Sequence, residues 1–211
     1  MRYDWADITS SAYLTILELG LREYPIPAKK IKCKDVIISS YQQYAKITGV
    51  SVEQILTEYE IEDALLLKEL RPGLRLILYN KDKYDARLKH TLWHEIGHIK
   101  RNHNKHGDDE EIEAHFFAAQ ANAPNIIINA IVKRGYSINV QFLVEHFGLS
   151  KDSATKKIEY LSKYGFEHTN EYDDVMLMQF SDYININYPS KTQHIYDDYF
   201  DELERARDNW R

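Results

Sequence analysis

The sequence predicts a mostly helical α+β protein, and three observations carry that reading. Long stretches repeat apolar residues at helical spacing, one short apolar run is flanked by breakers, and the composition is that of an ordinary globular chain. The chain has 211 residues, 44% of them hydrophobic and 28% charged, enough for one buried core with an appendage or for two small domains.

The first 70 residues read mainly as helices, broken at Pro25 and Pro27. Ser51-Val52-Glu53-Gln54 has the form of a capping box that opens one of them. After Pro72-Gly73, the run Leu74 to Tyr79 is short and apolar, and predicts a strand. From about Tyr84 to Arg101, Leu88, Leu92, Ile96 and Ile99 recur at spacings of four, four and three, which predicts a helix with one apolar face. A polar loop over 102–109 leads to a second helix, expected from near Asp109 to Ala121 and ended by Pro124. Val140 to Phe147, a break at Gly148-Leu149-Ser150, and Lys151 to Lys163 resemble a helix-turn-helix. Ile195, Tyr199, Leu203, Ala206 and Trp210 predict an amphipathic terminal helix. The expected divisions are 1–125, 126–165 and an acidic extension over 166–211.

Charge and cysteine content narrow the function classes. Twenty-seven basic and 33 acidic side chains leave a net charge of -6, which does not suit a protein that coats nucleic acid. Residues 131–165 carry six basic and three acidic groups, and residues 166–211 carry four and eleven. A single cysteine, Cys33, rules out an intramolecular disulfide and a paired-cysteine metal knuckle, and fits a reducing compartment. The start of the chain does not read as a signal peptide, and no run approaches the roughly 20 apolar residues of a membrane span. A cytoplasmic protein is expected.

The chemistry lies in His94-Glu95-Ile96-Gly97-His98. Histidines at i and i+4 on a helix present two imidazoles on one face, where both can reach one tetrahedral Zn²⁺. The adjacent Glu95 is then placed to take a proton from water that zinc has made acidic, the chemistry of metal-assisted hydrolysis. A third ligand is required, and His103, His106, Asp108, Asp109, Glu110, Glu111, Glu113 and His115 are candidates. Arg101 and Asn104 stand where a metzincin would carry glycine and histidine, so that subclass is excluded. Among the remainder Glu113 is favoured, because it lies well inside the second helix beside the small Ala114, while Glu110 and Glu111 suit the helix N-terminus. His103 and His106 read as solvated loop residues, and His115 as pointing away from Glu113 by about 200°. Tyr79 and Tyr136 are candidates to stabilise an oxyanion, and the Leu74–Tyr79 strand is a candidate to pair with an extended substrate.

These residues resemble the ImmA/IrrE family of zinc metallopeptidases. The resemblance rests on 94–98, on Glu113-Ala114-His115-Phe116-Phe117-Ala118-Ala119 and on Pro124, and it covers roughly residues 70–165. The chain departs from the family pattern at Ala121-Asn122-Ala123, where a Leu-Leu-Met run is usual. The resemblance implies a zincin-like domain with a small sheet, followed by the helix-turn-helix-like element. It also implies one Zn²⁺ held by His94, His98 and Glu113, with Glu95 as catalytic base. The implied substrate is a protein, a helix-turn-helix transcriptional repressor whose cleavage relieves repression. Two other classes compete: a non-catalytic zincin-fold module that regulates a partner by association, and a DNA-binding regulator acting through residues 140–163. For the latter Lys151, Lys156 and Lys157 are the candidate phosphate contacts, although their segment has a basic excess of only three charges.

Overall fold

A computed structural model describes residues 3–59, 64–71, 73–103, 107–166 and 170–191. It opens with α1 (Trp5–Glu18), capped by the Asp4 carboxylate on the Asp7 amide, and continues through a 3₁₀ turn at Ala28–Lys30. Then come β1 (Val36–Ser40), α2 (Tyr41–Thr48), α3 (Val52–Tyr59), β2 (Ala64–Arg71) and β3 (Leu74–Tyr79). The remaining elements are α4 (Asp85–Lys100), α5 (Asp108–Asn122), α6 (Asn125–Lys133), α7 (Val140–Phe147), α8 (Lys151–Tyr164), α9 (Asp173–Gln179) and α10 (Ser181–Asn187). The expected mostly helical α+β architecture is the one observed. The terminal helix expected over 195–210 lies outside the described residues, as does His106.

The sheet has three strands in the order β1-β3-β2, with β1 parallel and β2 antiparallel to β3. Two of these strands come from the stretch read as helical, because their apolar runs are too short and uniform for periodicity to separate strand from buried helix. The sheet also corrects the reading of Leu74–Tyr79 as a strand free to pair with substrate: β3 is central, and both its edges are already hydrogen-bonded.

β3 divides two apolar clusters by its alternation. Leu76 and Leu78 join Tyr41 and Ile55 under α2 and α3, while Ile77 faces the main core with Leu92, Trp93 and Ile96 of α4. The capping box closes α3 reciprocally, with the Gln54 amide donating to Ser51 Oγ at 3.1 Å and the Ser51 amide to Gln54 Oε1 at 2.8 Å. The main core is continuous from α1 through α10: Ile8, Phe117, Ile128, Phe147 and Phe180 belong to one cluster. The helix-turn-helix-like α7 and α8 therefore share their core with the helices that precede them.

The break between α7 and α8 uses Gly148 at φ +66°, where a β-carbon would also strike Lys89 Nζ and Pro25. Ser150 then caps α8 by accepting from the Ser153 amide at 3.1 Å. Among the described residues no helix is long and apolar enough to cross a membrane.

Candidate metal centre

α4 and α5 form the site because their backbones come unusually close. A β-carbon on Gly97 would lie 3.2 Å from the Phe117 ring and 3.3 Å from Ala114 Cα, so glycine at 97 and alanine at 114 permit the contact. Ala114, Ala118 and Ala121 are fully buried at spacings of four and three along α5. Glu111 stands three residues before Ala114 on the same stripe, and the stripe aims it at α4.

The three groups that meet are His94, His98 and Glu111. His94 Nε2 lies 3.1 Å from His98 Nε2, Glu111 Oε2 lies 3.2 Å from His94 Nε2, and Glu111 Oε1 lies 3.3 Å from His98 Nε2. A tetrahedral zinc with ligands at about 2.0–2.1 Å has ligand–ligand edges of about 3.3 Å, so the triangle has the size that one such ion requires. Burial, then the neighbouring imidazoles of His115 and His98, push His94 down to about 3, which keeps it neutral and able to ligate. His94, Glu111 and His115 also bring ligand atoms within 4.8 Å of one another.

Glu113 is placed elsewhere. Two residues beyond Glu111 is a rotation of about 200°, which takes its carboxylate off the stripe facing the pair. Glu113 Oε2 accepts from Arg101 Nε at 3.1 Å and lies 3.2 Å from His103 Nε2, and His103 Nδ1 lies 2.9 Å from His98 Nδ1. Arg101 also pairs with Asp7 of α1. The result is a hydrogen-bonded line from Asp7 through Arg101, Glu113 and His103 to the back of His98. With His98 Nε2 turned to the triangle, the proton on its Nδ1 can be donated to His103, whose Nε2 proton is accepted by Glu113.

His103 is thus a partner of His98 rather than a solvated loop residue, and its side chain is only 7% exposed. His115 turns toward the site rather than away from it, its ring centroid 4.4 Å from that of His94. The signal for His115 was its i, i+4 relation to Glu111, which a reading centred on Glu113 hides; His103 had no such local signal. Glu95 is half-buried one position along α4 from His94. Burial, and then the charge of Glu111, push its carboxyl up to about 8. Tyr136, at 3.2 Å, donates its hydroxyl to the Pro189 carbonyl, beside α10. Lys157, one of the three lysines considered for phosphate contact, is 6% exposed, and its Nζ is buried without a hydrogen-bond partner among the described residues.

Two helices beside a small mixed sheet thus carry a group of histidines and a carboxylate that could hold a metal ion. The model of a peptidase family described as the IrrE N-terminal-like domain matches residues 42–159, more than half of the chain, and the chain belongs to that family. The match takes in β1's partner β3, both helices of the centre and most of α8, and leaves α1 outside it. No curated protein matches the chain, and no solved structure does.

Proposed function

We propose that the protein is a zinc-dependent endopeptidase whose metal ligands are His94, His98 and Glu111 and whose catalytic base is Glu95. The observation that carries this is the triangle of two imidazole nitrogens and one carboxylate with edges of 3.1–3.3 Å. Glu111 replaces Glu113 in the ligand set because it is the carboxylate that reaches both histidines, and the line behind His98 gives Glu113 a different task. Carboxylate–histidine partners of that kind orient a metal-bound imidazole and raise its basicity.

Zinc held there supplies a Lewis acid that polarises a peptide carbonyl and makes water acidic enough to deprotonate near neutral pH. Glu95 takes the proton from water as its oxygen bonds to the carbonyl carbon, and returns a proton to the amine nitrogen as the C–N bond breaks. Its raised affinity for protons, set by burial and by Glu111, suits a group that must both accept and give one, and the nearby cation moderates it. Beside His115 a cavity of about 410 Å³, walled by Trp5, Phe116, Leu149 and Tyr160, is large enough to take substrate side chains.

The proposed substrate is a helix-turn-helix transcriptional repressor, a reading supported by family membership and by the resemblance of residues 92–124. Incubating the purified chain with a helix-turn-helix repressor, taken from beside its gene where one is encoded there, tests it. Cleavage by wild type, abolished in Glu95→Gln while zinc is retained, is the expected result. Equal cleavage by Glu95→Gln would sink the peptidase reading and leave the non-catalytic module.

A further inference from the structure

The ligating groups continue past the His94, His98 and Glu111 triangle. His98 meets Glu111, and His90 meets His115, so α4 and α5 run antiparallel. One turn back along α4 from His94 and one turn forward along α5 from Glu111 therefore move in the same direction, by about 5.4 Å. Those two steps arrive at His90 and His115. The result is a second layer of imidazoles stacked on the first.

One spacing of the first layer recurs in this one. His90 Nε2 and His115 Nδ1 are 3.4 Å apart, and their rings lie nearly parallel at 14°. That separation is long for an N–H···N hydrogen bond, and is close to the edge of a tetrahedron around a zinc-sized ion. Glu111 stands beside the pair, since its carboxylate and ring nitrogens of His115 and His94 all lie within 4.8 Å of one another. Two imidazoles and a carboxylate suit zinc, nickel or cobalt, and not calcium or magnesium.

We propose that His90 and His115, with the Glu111 carboxylate, form a second site for a borderline divalent ion of the zinc class. It lies one helical turn from the first site and shares Glu111 with it. The inference rests on the zinc reading above only through that shared carboxylate. His115 is exposed and Glu111 is divided between the two ions, so the second site is the weaker and fills in metal excess. An ion there draws on the Glu111 charge that serves the first, so hydrolysis falls as the second equivalent binds.

The test is a titration of the metal-free full-length chain with Co²⁺, followed by calorimetry and by the visible absorption of the bound ion, in wild type, His90→Asn and His115→Asn. Wild type should take two equivalents. Each variant should keep the tight event and lose the second, or bind it at least about tenfold more weakly. Circular dichroism on each variant separates a lost site from a lost fold, and His90→Gln serves if His90→Asn does not fold. A wild type that takes one equivalent overturns the second site alone, and one that takes none overturns the zinc reading with it. A second event unchanged in both variants, or loss of both events in a folded His115→Asn, also overturns the proposal.

Discussion

Replacing Glu113 by glutamine separates it by role from Glu111, on the same helix α5. In the structure Glu113 touches neither His94 nor His98, and acts on His98 through His103, across contacts of 3.2 and 2.9 Å. Glutamine keeps the shape and removes the charge. His103 then loses the anion that favours proton donation along the line, and Arg101 keeps the charge of Asp7. Loss of such an outer partner costs about 10- to 100-fold in metal affinity, or about 1.4–2.7 kcal/mol. Glu111→Gln, in contrast, removes a ligand whose oxygens lie 3.2 and 3.3 Å from the two imidazoles, and zinc should no longer survive purification. Competition for zinc against a chromophoric chelator, at one pH for all proteins, measures both. The reasoning is refuted if Glu113→Gln loses zinc entirely while Glu111→Gln retains it, because Glu113 would then be the ligand.

Three further outcomes are expected. Gly97→Val places its first carbon 3.2 Å from the Phe117 ring and its methyls further in. It should cost about 1–3 kcal/mol through overpacking, seen as a drop in Tm of several degrees together with weaker zinc binding; an unchanged Tm would show that the helices do not depend on this contact. In the metal-free protein Glu95 binds its proton up to about 8, whereas an unfolded carboxyl loses it near 4.5. The folded state therefore holds the extra proton between those values, stability falls as pH rises through them, and Glu95→Gln should remove that part of the fall in denaturant titrations at the two ends. Lys157 shows the opposite sign: burial lowers its ammonium to about 7 from 10.5, so the unfolded chain binds more protons between these values and wild-type stability rises with pH. Lys157→Met should flatten that rise and be at least as stable as wild type near neutral pH, and a large loss of stability would show that the ammonium has a partner worth keeping.

Much of this was legible in the sequence, and what was missed has physical causes. The α4 stripe and its histidines follow from helical periodicity, because one long amphipathic element leaves a strong signal. α5 was also legible, starting at Asp108 and ending at Asn122 before Pro124. Its orientation was not, since the face turned to α4 is marked by alanines, and a stripe of Ala114, Ala118 and Ala121 carries little hydrophobic contrast. Favouring Glu113 by its depth within the helix takes no account of this stripe, on which Glu111 stands. β1 was hidden for another reason. Strand identity in a mixed sheet depends on partners far along the chain, and β1 pairs with β3 across nearly 40 positions. The link from α1 to the centre, Asp7 to Arg101, joins residues 94 positions apart and has no local signature.

X-ray absorption at the zinc edge of the loaded protein, with one equivalent of metal, tests the central claim most directly. The account predicts a shell of nitrogen and oxygen at about 2.0–2.1 Å, with the outer-shell scattering of two imidazoles, reduced to one imidazole in His98→Ala if that variant retains metal at all. A shell containing sulfur, or one of oxygen alone without imidazole scattering, would contradict it and move the metal away from His94, His98 and Glu111.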